Sequence, residues 1–240
     1  MRVTLVLPTY NEAENLPRIV AALRALDPRP HILVVDDGSP DGTGRLADEL
    51  ARGREDLTVI HRTGPRGFGE ALTAGFRAAF DSGAEVLVTM DADFSHDPAD
   101  VPRLLAALEG DAADLVIGSR YTEGGRIRDW PLHRRLLSTV ANAFVGILFA
   151  LPARDCTSGF RVYRRQVLAE VPWDALHSTG YSFLVEVLYW ALHAGARLRE
   201  VPICFAERRL GQSKMGLREI VWGARNLLRL RLELLLRRDR

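Results

Sequence analysis

Short runs of apolar residues alternate with amphipathic segments along the first half of the chain. The runs are apolar throughout, and between them apolar residues recur every three or four positions, the spacing of one helix face. Strands of this kind are typical of a parallel sheet covered by helices on both sides. The pattern predicts an α/β fold with strands at 3–7, 31–37, 57–61, 85–91 and 113–120. The predicted helices are 14–26, 42–51, 67–83, which Gly83 would cap, and 97–109.

The pattern changes after residue 120. A loop rich in glycine and arginine, 122–131, precedes a predicted helix, 132–151, that begins basic and continues apolar. Residues 182–195 are predicted to form a helix, 197–205 a strand, and 217–240 a terminal helix that mixes leucine with arginine. Since there is no repeat and no obvious linker, we expect 1–216 and 217–240, the C-terminal amphipathic helix, to form one structural unit.

Composition narrows the class of protein. The chain has 240 residues, 47% hydrophobic and 26% charged, enough to bury a sizeable core, and a net charge of +1 gives no reason to expect a nucleic acid partner. Cys156 and Cys204 are far apart and form no metal-binding motif or disulfide framework, so we expect two buried thiols in a reducing compartment. Pro8 comes too early for a secretory signal, and the longest apolar stretch, 136–151, is shorter than a bilayer requires. A cytoplasmic protein is predicted.

Acidic residues follow the predicted strands, whose carboxyl ends should face one crevice. Asp91 ends the fourth predicted strand and Asp93 follows two positions later, and residues two apart project to the same side if strand geometry persists. Two such carboxylates can share a divalent cation, because Mg²⁺ uses one or two carboxylates and keeps other positions for water and phosphates. Asp97 precedes Pro98 and is interpreted as a helix N-cap.

The ends of the first two strands carry a second candidate site. Asp37 is positioned to meet ribose hydroxyls or a base edge. Pro8 and Tyr10 can wall a pocket for a base, and Glu12 can accept hydrogen bonds from ribose. Tyr10 is equally interpreted as an aromatic lid on the first helix, and Asn11 as a plain helix N-cap.

Six motifs occur in an order that resembles a known family. They are LPTYNEAENL, VVDDGSPDGT, MDADFSHDP, GSRY, SGFRVYRR and RRLGQSK, and the match runs over residues 3–216. Together they resemble the family 2 glycosyltransferases, specifically the dolichol-phosphate (polyprenol monophosphate) mannose synthases. The resemblance implies a GT-A fold and transfer of mannose, with inversion, from GDP-mannose to a polyprenyl phosphate.

The resemblance also implies roles for individual residues. The expected nucleotide ligands are Pro8, Tyr10, Glu12, Val35 and Asp37. Mg²⁺ or Mn²⁺ would be held by Asp91 and Asp93, with the Ala92 backbone beside the sugar diphosphate. Archaeal members have glutamine where this chain has Ser95, so either the Ser95 side chain or a water would complete the metal ligands. The expected phosphate ligands are Arg120, Arg208 and Lys214.

The residues indicate a reaction without a general base. A hydroxyl acceptor needs a group to take its proton, but the ED and QxxRW elements of hydroxyl-accepting relatives are missing, and Asp155 is the only obvious central carboxylate in the second half. A phosphate oxygen is already anionic and can attack directly, provided that guanidinium groups hold it. Arg120 and Arg134 suit this acceptor phosphate, with Ser138 one helical turn after Arg134.

The lipid would need an apolar contact surface. Residues 133–151 begin basic and continue apolar, as an interfacial helix does, and the terminal helix combines leucine with arginine. Ordinary packing against the sheet is the alternative for both segments. Anchored relatives carry transmembrane helices beyond this length, whereas this chain ends at Arg240, so we expect peripheral association with the cytoplasmic face of a membrane.

Three rival interpretations stay open. One is a family 2 transferase with another donor, such as UDP-glucose, or with a hydroxyl acceptor. Another is a nucleotide-sugar binding module without turnover, which intact Asp91 and Asp93 argue against. A third, a dinucleotide-binding Rossmann enzyme, lacks G-x-G-x-x-G after the first strand.

Overall fold

A computed structural model of the chain describes residues 1–176, 178, 180–207 and 217–238, with side chains described for all of these except 111, 181, 217–222 and 235–238. The strands in this part of the chain are β1 Val3–Thr9, β2 His31–Asp36, β3 Leu57–His61, β4 Val86–Thr89, β5 Leu115–Ser119, β6 Arg126–Ile127, β7 Arg161–Arg164, β8 Leu198–Pro202 and β9 Cys204–Phe205. The helices are α1 Leu16–Arg24, α2 Thr43–Ala51, α3 Phe68–Asp81, α4 Val101–Ala106, α5 Leu132–Phe149, α6 Arg165–Ala169, α7 Tyr181–His193 and α8 Leu217–Arg238.

Seven strands form one mixed sheet in the order β3-β2-β1-β4-β7-β5-β8. β1, β2, β3 and β4 are parallel to one another, and β5 is parallel to β8. β7 runs antiparallel between β4 and β5. The carboxyl ends of β1, β2, β4 and β5 therefore lie along one edge of the sheet, where the predicted site residues follow.

Several details differ from the sequence prediction. β7 was not predicted, because its sequence RVYR begins and ends with charged residues, yet Arg161 is fully buried. The predicted strand at 197–205 divides after Pro202, which cannot donate a ladder hydrogen bond, and β9 leaves the sheet to pair with β6 in the predicted Gly/Arg loop. The helix predicted at 97–109 is a 3-10 turn, Pro98–Asp100, followed by the short α4. Cys156 is buried as expected, but Cys204 is only half-buried.

The core lies on both faces of the sheet. α1 and α4 cover one face, and α3, α5, α7 and α8 contribute to the core on the other. α3 approaches β1 closely at Gly75, where an added Cβ would lie 2.3 Å from Cγ1 of Val6. α3 ends as predicted, because Gly83 has a φ of +76° directly after the C-cap residue Ser82.

α5 buries little of its apolar surface. Leu132, Leu136, Val140 and Ile147 are 81%, 67%, 55% and 83% exposed. α8 packs against α5 and α7 and buries part of its apolar surface in the same core, but Leu232 is 62% exposed. Within the described ranges, none of the helices combines the length and apolar character that crossing a bilayer requires.

Candidate functional site

Arginines that follow β3 border the predicted nucleotide residues. Asp37 follows β2, and its carboxylate accepts hydrogen bonds from the Gly67 amide at 2.8 Å and from the Arg62 guanidinium. The hydroxyl of Tyr10 accepts a hydrogen bond from Arg66, whose guanidinium carbon lies 4.9 Å from the centre of the tyrosine ring. Sequence reasoning did not single out either arginine; Arg66 lies in the glycine-rich segment GPRGFGEA, and Arg62 lies just before it.

The segment after β1 is held by polar contacts within itself and with the start of α2. The Glu12 carboxylate accepts a hydrogen bond from Nδ2 of Asn15 at 2.8 Å, and the Glu12 amide donates to Oγ1 of Thr43 at 2.9 Å. The alternative role of Asn11 as a helix N-cap is wrong, because α1 begins only at Leu16, with Asn15 in the N-cap position. Asn11 instead adopts a φ of +57°.

Pro8 and Val35 differ in what they can offer a ligand. Pro8 is half-buried near the end of β1. Val35 is fully buried in the core beneath α3. Any contact between Val35 and a nucleotide would therefore have to come from its backbone.

The predicted metal residues lie in a compact turn directly after β4. Asp91 is partly exposed, whereas Ala92, Asp93 and Ser95 are buried, and Oδ1 of Asp93 accepts a hydrogen bond from the Ser95 amide at 3.0 Å. Oγ of Ser95 is buried and has no hydrogen-bond partner among the described residues. The donor types of this turn, carboxylate and hydroxyl oxygens, are the hard ligands that Mg²⁺ or Mn²⁺ take. In the described part of the chain, no group of three or more His, Cys, Asp or Glu side chains is arranged to hold a metal ion.

His96 packs against this turn and accepts a hydrogen bond from it. Its Nδ1 accepts a hydrogen bond from the Asp91 amide at 3.2 Å, and its ring packs against Phe160 and Phe205, with ring centres 5.0 and 5.2 Å away. Burial is the largest influence and lowers the pKa of His96 to about 4, although Asp93 acts to raise it. The imidazole is therefore neutral near pH 7, which leaves Nδ1 able to accept the Asp91 hydrogen bond.

Asp97 acts as the predicted N-cap. Its side chain accepts a hydrogen bond from the Ala99 amide at 3.0 Å, at the start of the 3-10 turn that leads into α4. This contact accounts for Asp97 without any role in binding a metal.

Arg120, directly after β5, forms an ion pair with Asp155. The Asp155 carboxylate accepts from Nε of Arg120 at 2.8 Å, from Nη2 at 2.7 Å and from the Arg120 amide at 3.0 Å. Asp155 is fully buried, and burial alone would raise its pKa, but attraction to Arg120 and these hydrogen bonds hold the pKa below its usual range. Asp155 is therefore an ionised partner that orients Arg120.

The loop that carries Asp155 is tied to several elements. Oγ1 of Thr157 accepts from Nη2 of Arg120 at 2.8 Å and from Nδ2 of Asn142, on α5, at 3.2 Å. The buried Arg161 guanidinium lies beneath the loop and donates to the carbonyl oxygens of Cys156, Ser158 and Leu184 at 2.6, 2.8 and 2.7 Å. Arg161 belongs to the SGFRVYRR motif, but nothing in the pattern distinguishes it there from a surface arginine.

The predicted acceptor residues lie at the start of α5. Nη1 of Arg134 donates to Oε1 of Glu207 at 2.9 Å, and the guanidinium carbon lies 4.0 Å from the centre of the Trp130 ring. Ser138 is half-buried one turn further along α5. Arg208 and Lys214, the other predicted phosphate ligands, lie outside the described residues.

The fold and the acidic turn after β4 define a class. A mostly parallel sheet with acidic residues at its carboxyl edge is the arrangement of the GT-A glycosyltransferases, so the predicted fold class is confirmed. Residues 4–171 match the family model for glycosyl transferase family 2. The chain therefore belongs to glycosyl transferase family 2.

Named relatives cover most of the chain. It is 48% identical over 236 residues to polyprenol monophosphomannose synthase of Mycolicibacterium smegmatis, covering 95% of this chain and 89% of the relative. It is 46% identical over 216 residues to undecaprenyl-phosphate mannosyltransferase of Micrococcus luteus, covering 90% and 88%. It is 38% identical to dolichol-phosphate mannosyltransferase of Pyrococcus furiosus, covering 96% of this chain and 64% of that protein. These relatives confirm the resemblance inferred from the six motifs.

Solved structures support the fold alone. Glucosyl-3-phosphoglycerate synthase from Mycobacterium tuberculosis, in complex with Mn²⁺, UDP and glucosyl-3-phosphoglycerate, matches with a TM-score of 0.67 at 20% identity, over 95% of this chain and 77% of that chain. The same enzyme in complex with phosphoglyceric acid matches with a TM-score of 0.69, over 97% and 79%.

Proposed function

We propose that this protein transfers mannose, with inversion, from GDP-mannose to a polyprenyl phosphate and releases GDP. The names of the mannosyltransferase relatives support mannose as the transferred sugar and a polyprenyl phosphate as the acceptor. GDP-mannose as the donor is what the family resemblance implies. The observation that carries the proposal is the pairing of Arg120 with Asp155. It engages Asp155, the central carboxylate that the sequence offers as a candidate base, and it fixes the Arg120 guanidinium directly after β5.

The donor would bind along the edge formed by β1, β2 and β4. Tyr10 and Asp37, with Arg62 and Arg66 beside them, would contact the nucleoside, and Glu12 would accept from ribose hydroxyls. Their aromatic ring, guanidinium groups and carboxylates have the chemistry that a base and a ribose need.

Asp91 and Asp93 would hold Mg²⁺ or Mn²⁺, with Ser95 or a water as a further ligand. The glucosyl-3-phosphoglycerate synthase complex contains Mn²⁺ together with UDP, which supports a divalent ion of this kind. When bound, the ion supplies positive charge that stabilises the diphosphate of the departing nucleotide.

The acceptor would enter from the side of α5. Arg134 and Ser138 would hold its phosphate, and Arg120 would face it from β5, so that an anionic phosphate oxygen reaches the anomeric carbon without losing a proton. Arg208 and Lys214 would serve either phosphate.

The exposed face of α5 would rest on a membrane surface. Leu132, Leu136, Val140 and Ile147 offer apolar side chains to lipid, and Arg126, Arg128 and Arg135 are exposed near the start of the helix. Basic residues beside an apolar helix face favour an anionic lipid interface. This peripheral contact, on the cytoplasmic face, would bring the lipid phosphate to Arg134.

A donor screen tests the proposed function. Purified protein, a divalent ion and a short-chain polyprenyl phosphate are incubated with GDP-mannose, UDP-glucose or GDP-glucose, and the lipid product is quantified. We expect a product from GDP-mannose well above the others. A preference for UDP-glucose would favour the rival donor, and nucleotide-sugar binding without product would favour the binding module.

Vesicle flotation tests the membrane contact separately. We expect binding to phosphatidylglycerol vesicles that falls with added salt and in the double variant Leu136→Gln, Ile147→Gln, with phosphatidylcholine vesicles as the control. Equal flotation of the variant and the wild type would contradict a role for this helix face.

A further inference from the structure

Trp130 lies between two arginines of the candidate phosphate site. The centre of its ring is 4.0 Å from the guanidinium carbon of Arg134 and 5.9 Å from that of Arg120. The nearer distance corresponds to close cation–π contact. Trp130 belongs to the predicted Gly/Arg loop, where its sequence context indicates no role.

The loop holds the indole in this position. Asp129, directly before it, has a φ of +61°, and the Arg128 amide donates to the carbonyl of Phe205 at 2.8 Å. The Phe205 ring meets the indole edge-on, with ring centres 5.4 Å apart and an angle of 79°. Trp130 is therefore fixed by strand pairing on one side and by an aromatic contact on the other.

The Arg134 guanidinium contacts an aromatic ring and a carboxylate at the same time. The guanidinium carbon lies over the Trp130 ring at 4.0 Å, while Nη1 donates to Glu207. Phosphate is bound by the N–H edge of an arginine, so a contact with the face orients the group without occupying its donors. The ion pair with Glu207 is partly exposed, with the two side chains 28% and 41% accessible, and such pairs contribute little.

We propose that Trp130 is a positioning residue that holds the Arg134 guanidinium for the phosphate of the lipid acceptor. This inference rests on the proposed function and on the expected role of Arg134. Trp130 lowers the freedom of a long side chain that would otherwise have to be ordered when the acceptor binds. The indole thus contributes to acceptor affinity through Arg134, without itself reacting.

Binding and kinetics of Trp130 variants test this. Trp130→Leu should weaken binding of a short-chain polyprenyl phosphate, measured by calorimetry without donor, by roughly 2- to 30-fold, the range of a cation–π contact. The acceptor KM should rise in parallel, while the KM for GDP-mannose stays unchanged. Trp130→Phe, which keeps an aromatic face, should recover part of the loss. Trp173→Leu, which removes an indole packed on Phe76 and Phe183, controls for general loosening and should leave acceptor binding unchanged.

A double-mutant cycle shows whether Trp130 acts through Arg134. In an Arg134→Gln background, Trp130→Leu should cause no further loss of lipid-phosphate affinity. Additive losses, a parallel rise in the donor KM, or wild-type acceptor affinity in Trp130→Leu would each overturn the inference. Wild-type protein that binds the lipid phosphate but transfers no mannose would defeat the proposed function alone. Wild-type protein that does not bind the lipid phosphate would defeat both.

Discussion

Replacing Asp155 by asparagine tests whether this carboxylate orients Arg120 or acts as a catalytic base. The side chain is fully buried and accepts three hydrogen bonds from Arg120, at 2.7, 2.8 and 3.0 Å. Asparagine keeps the volume but removes the charge and turns an amide group toward the guanidinium. Breaking a buried ion pair on one side costs about 3–5 kcal/mol, so we expect the free energy of unfolding to fall by about that amount.

Urea unfolding measures this loss, and Asp114→Asn is a matched control. Asp114 accepts from the same three donors of another arginine, Arg197, at 2.8, 2.9 and 3.0 Å, but the Arg197 side chain is 53% exposed. Solvent screening should make the control loss smaller, and transfer activity should stay at the wild-type level.

The pH dependence of stability has a defined sign. The pKa of Asp155 is lowered on folding, so its contribution is present above the pKa of the unfolded carboxyl and is lost as pH falls through the lower, folded value. Asp155→Asn should remove this part of the acid dependence. Wild-type acid dependence in the variant would show that Asp155 is not the charged partner of Arg120.

Steady-state transfer rates supply the decisive comparison. Removal of a general base costs roughly 10²- to 10⁴-fold in rate. Because Asp155 orients Arg120 and need not take a proton, we expect a loss below about a hundredfold. A larger loss in a variant that is still folded would refute the reasoning and favour a hydroxyl acceptor.

Four further outcomes are expected. Asp93→Ala should abolish transfer, and EDTA should abolish the activity of the wild-type protein. Full activity in EDTA would exclude a requirement for a metal ion. Asp97→Ala should lower the free energy of unfolding by about 1 kcal/mol, the cost of a helix cap, with the metal requirement unchanged in a titration. Gly75→Ala should lower it by about 1–3 kcal/mol, because the new Cβ would meet Val6, and an unchanged melting temperature would contradict this packing. The transfer rate should rise through about pH 6, the second pKa of a phosphate monoester, and then level off, whereas a rate that does not change with pH through this region would contradict an ionising phosphate acceptor.

The pattern of apolar and polar residues was enough to predict the parallel part of the sheet and the residues at the ends of its strands. β1 to β5 and the helices between them follow from period and turn chemistry, and Asp97 follows from local capping rules. These features are local, so neighbouring residues in the chain specify them. The acidic turn was likewise predictable, since Asp91 and Asp93 follow their strand directly.

Features that depend on distant contacts were not predictable. β7 carries arginines, and Arg161 can be buried only because three carbonyl groups from the loop and from α7 accept its hydrogen bonds. Trp130 and Arg134 are only four positions apart, but the loop that carries Trp130 pairs with β9 far along the chain, where the Arg128 amide donates to the carbonyl of Phe205. Periodicity does not record pairings of this kind, because they join residues that are distant in the sequence.

The most direct test of the central claim compares two acceptors that differ only in the phosphate. Radiolabelled GDP-mannose and Mg²⁺ are incubated with the protein and either a polyprenyl phosphate or the matching polyprenol, and label is counted in the organic phase. The account predicts labelled lipid with the phosphate and none with the alcohol. Equal labelling of the alcohol, or label in neither lipid, would contradict it.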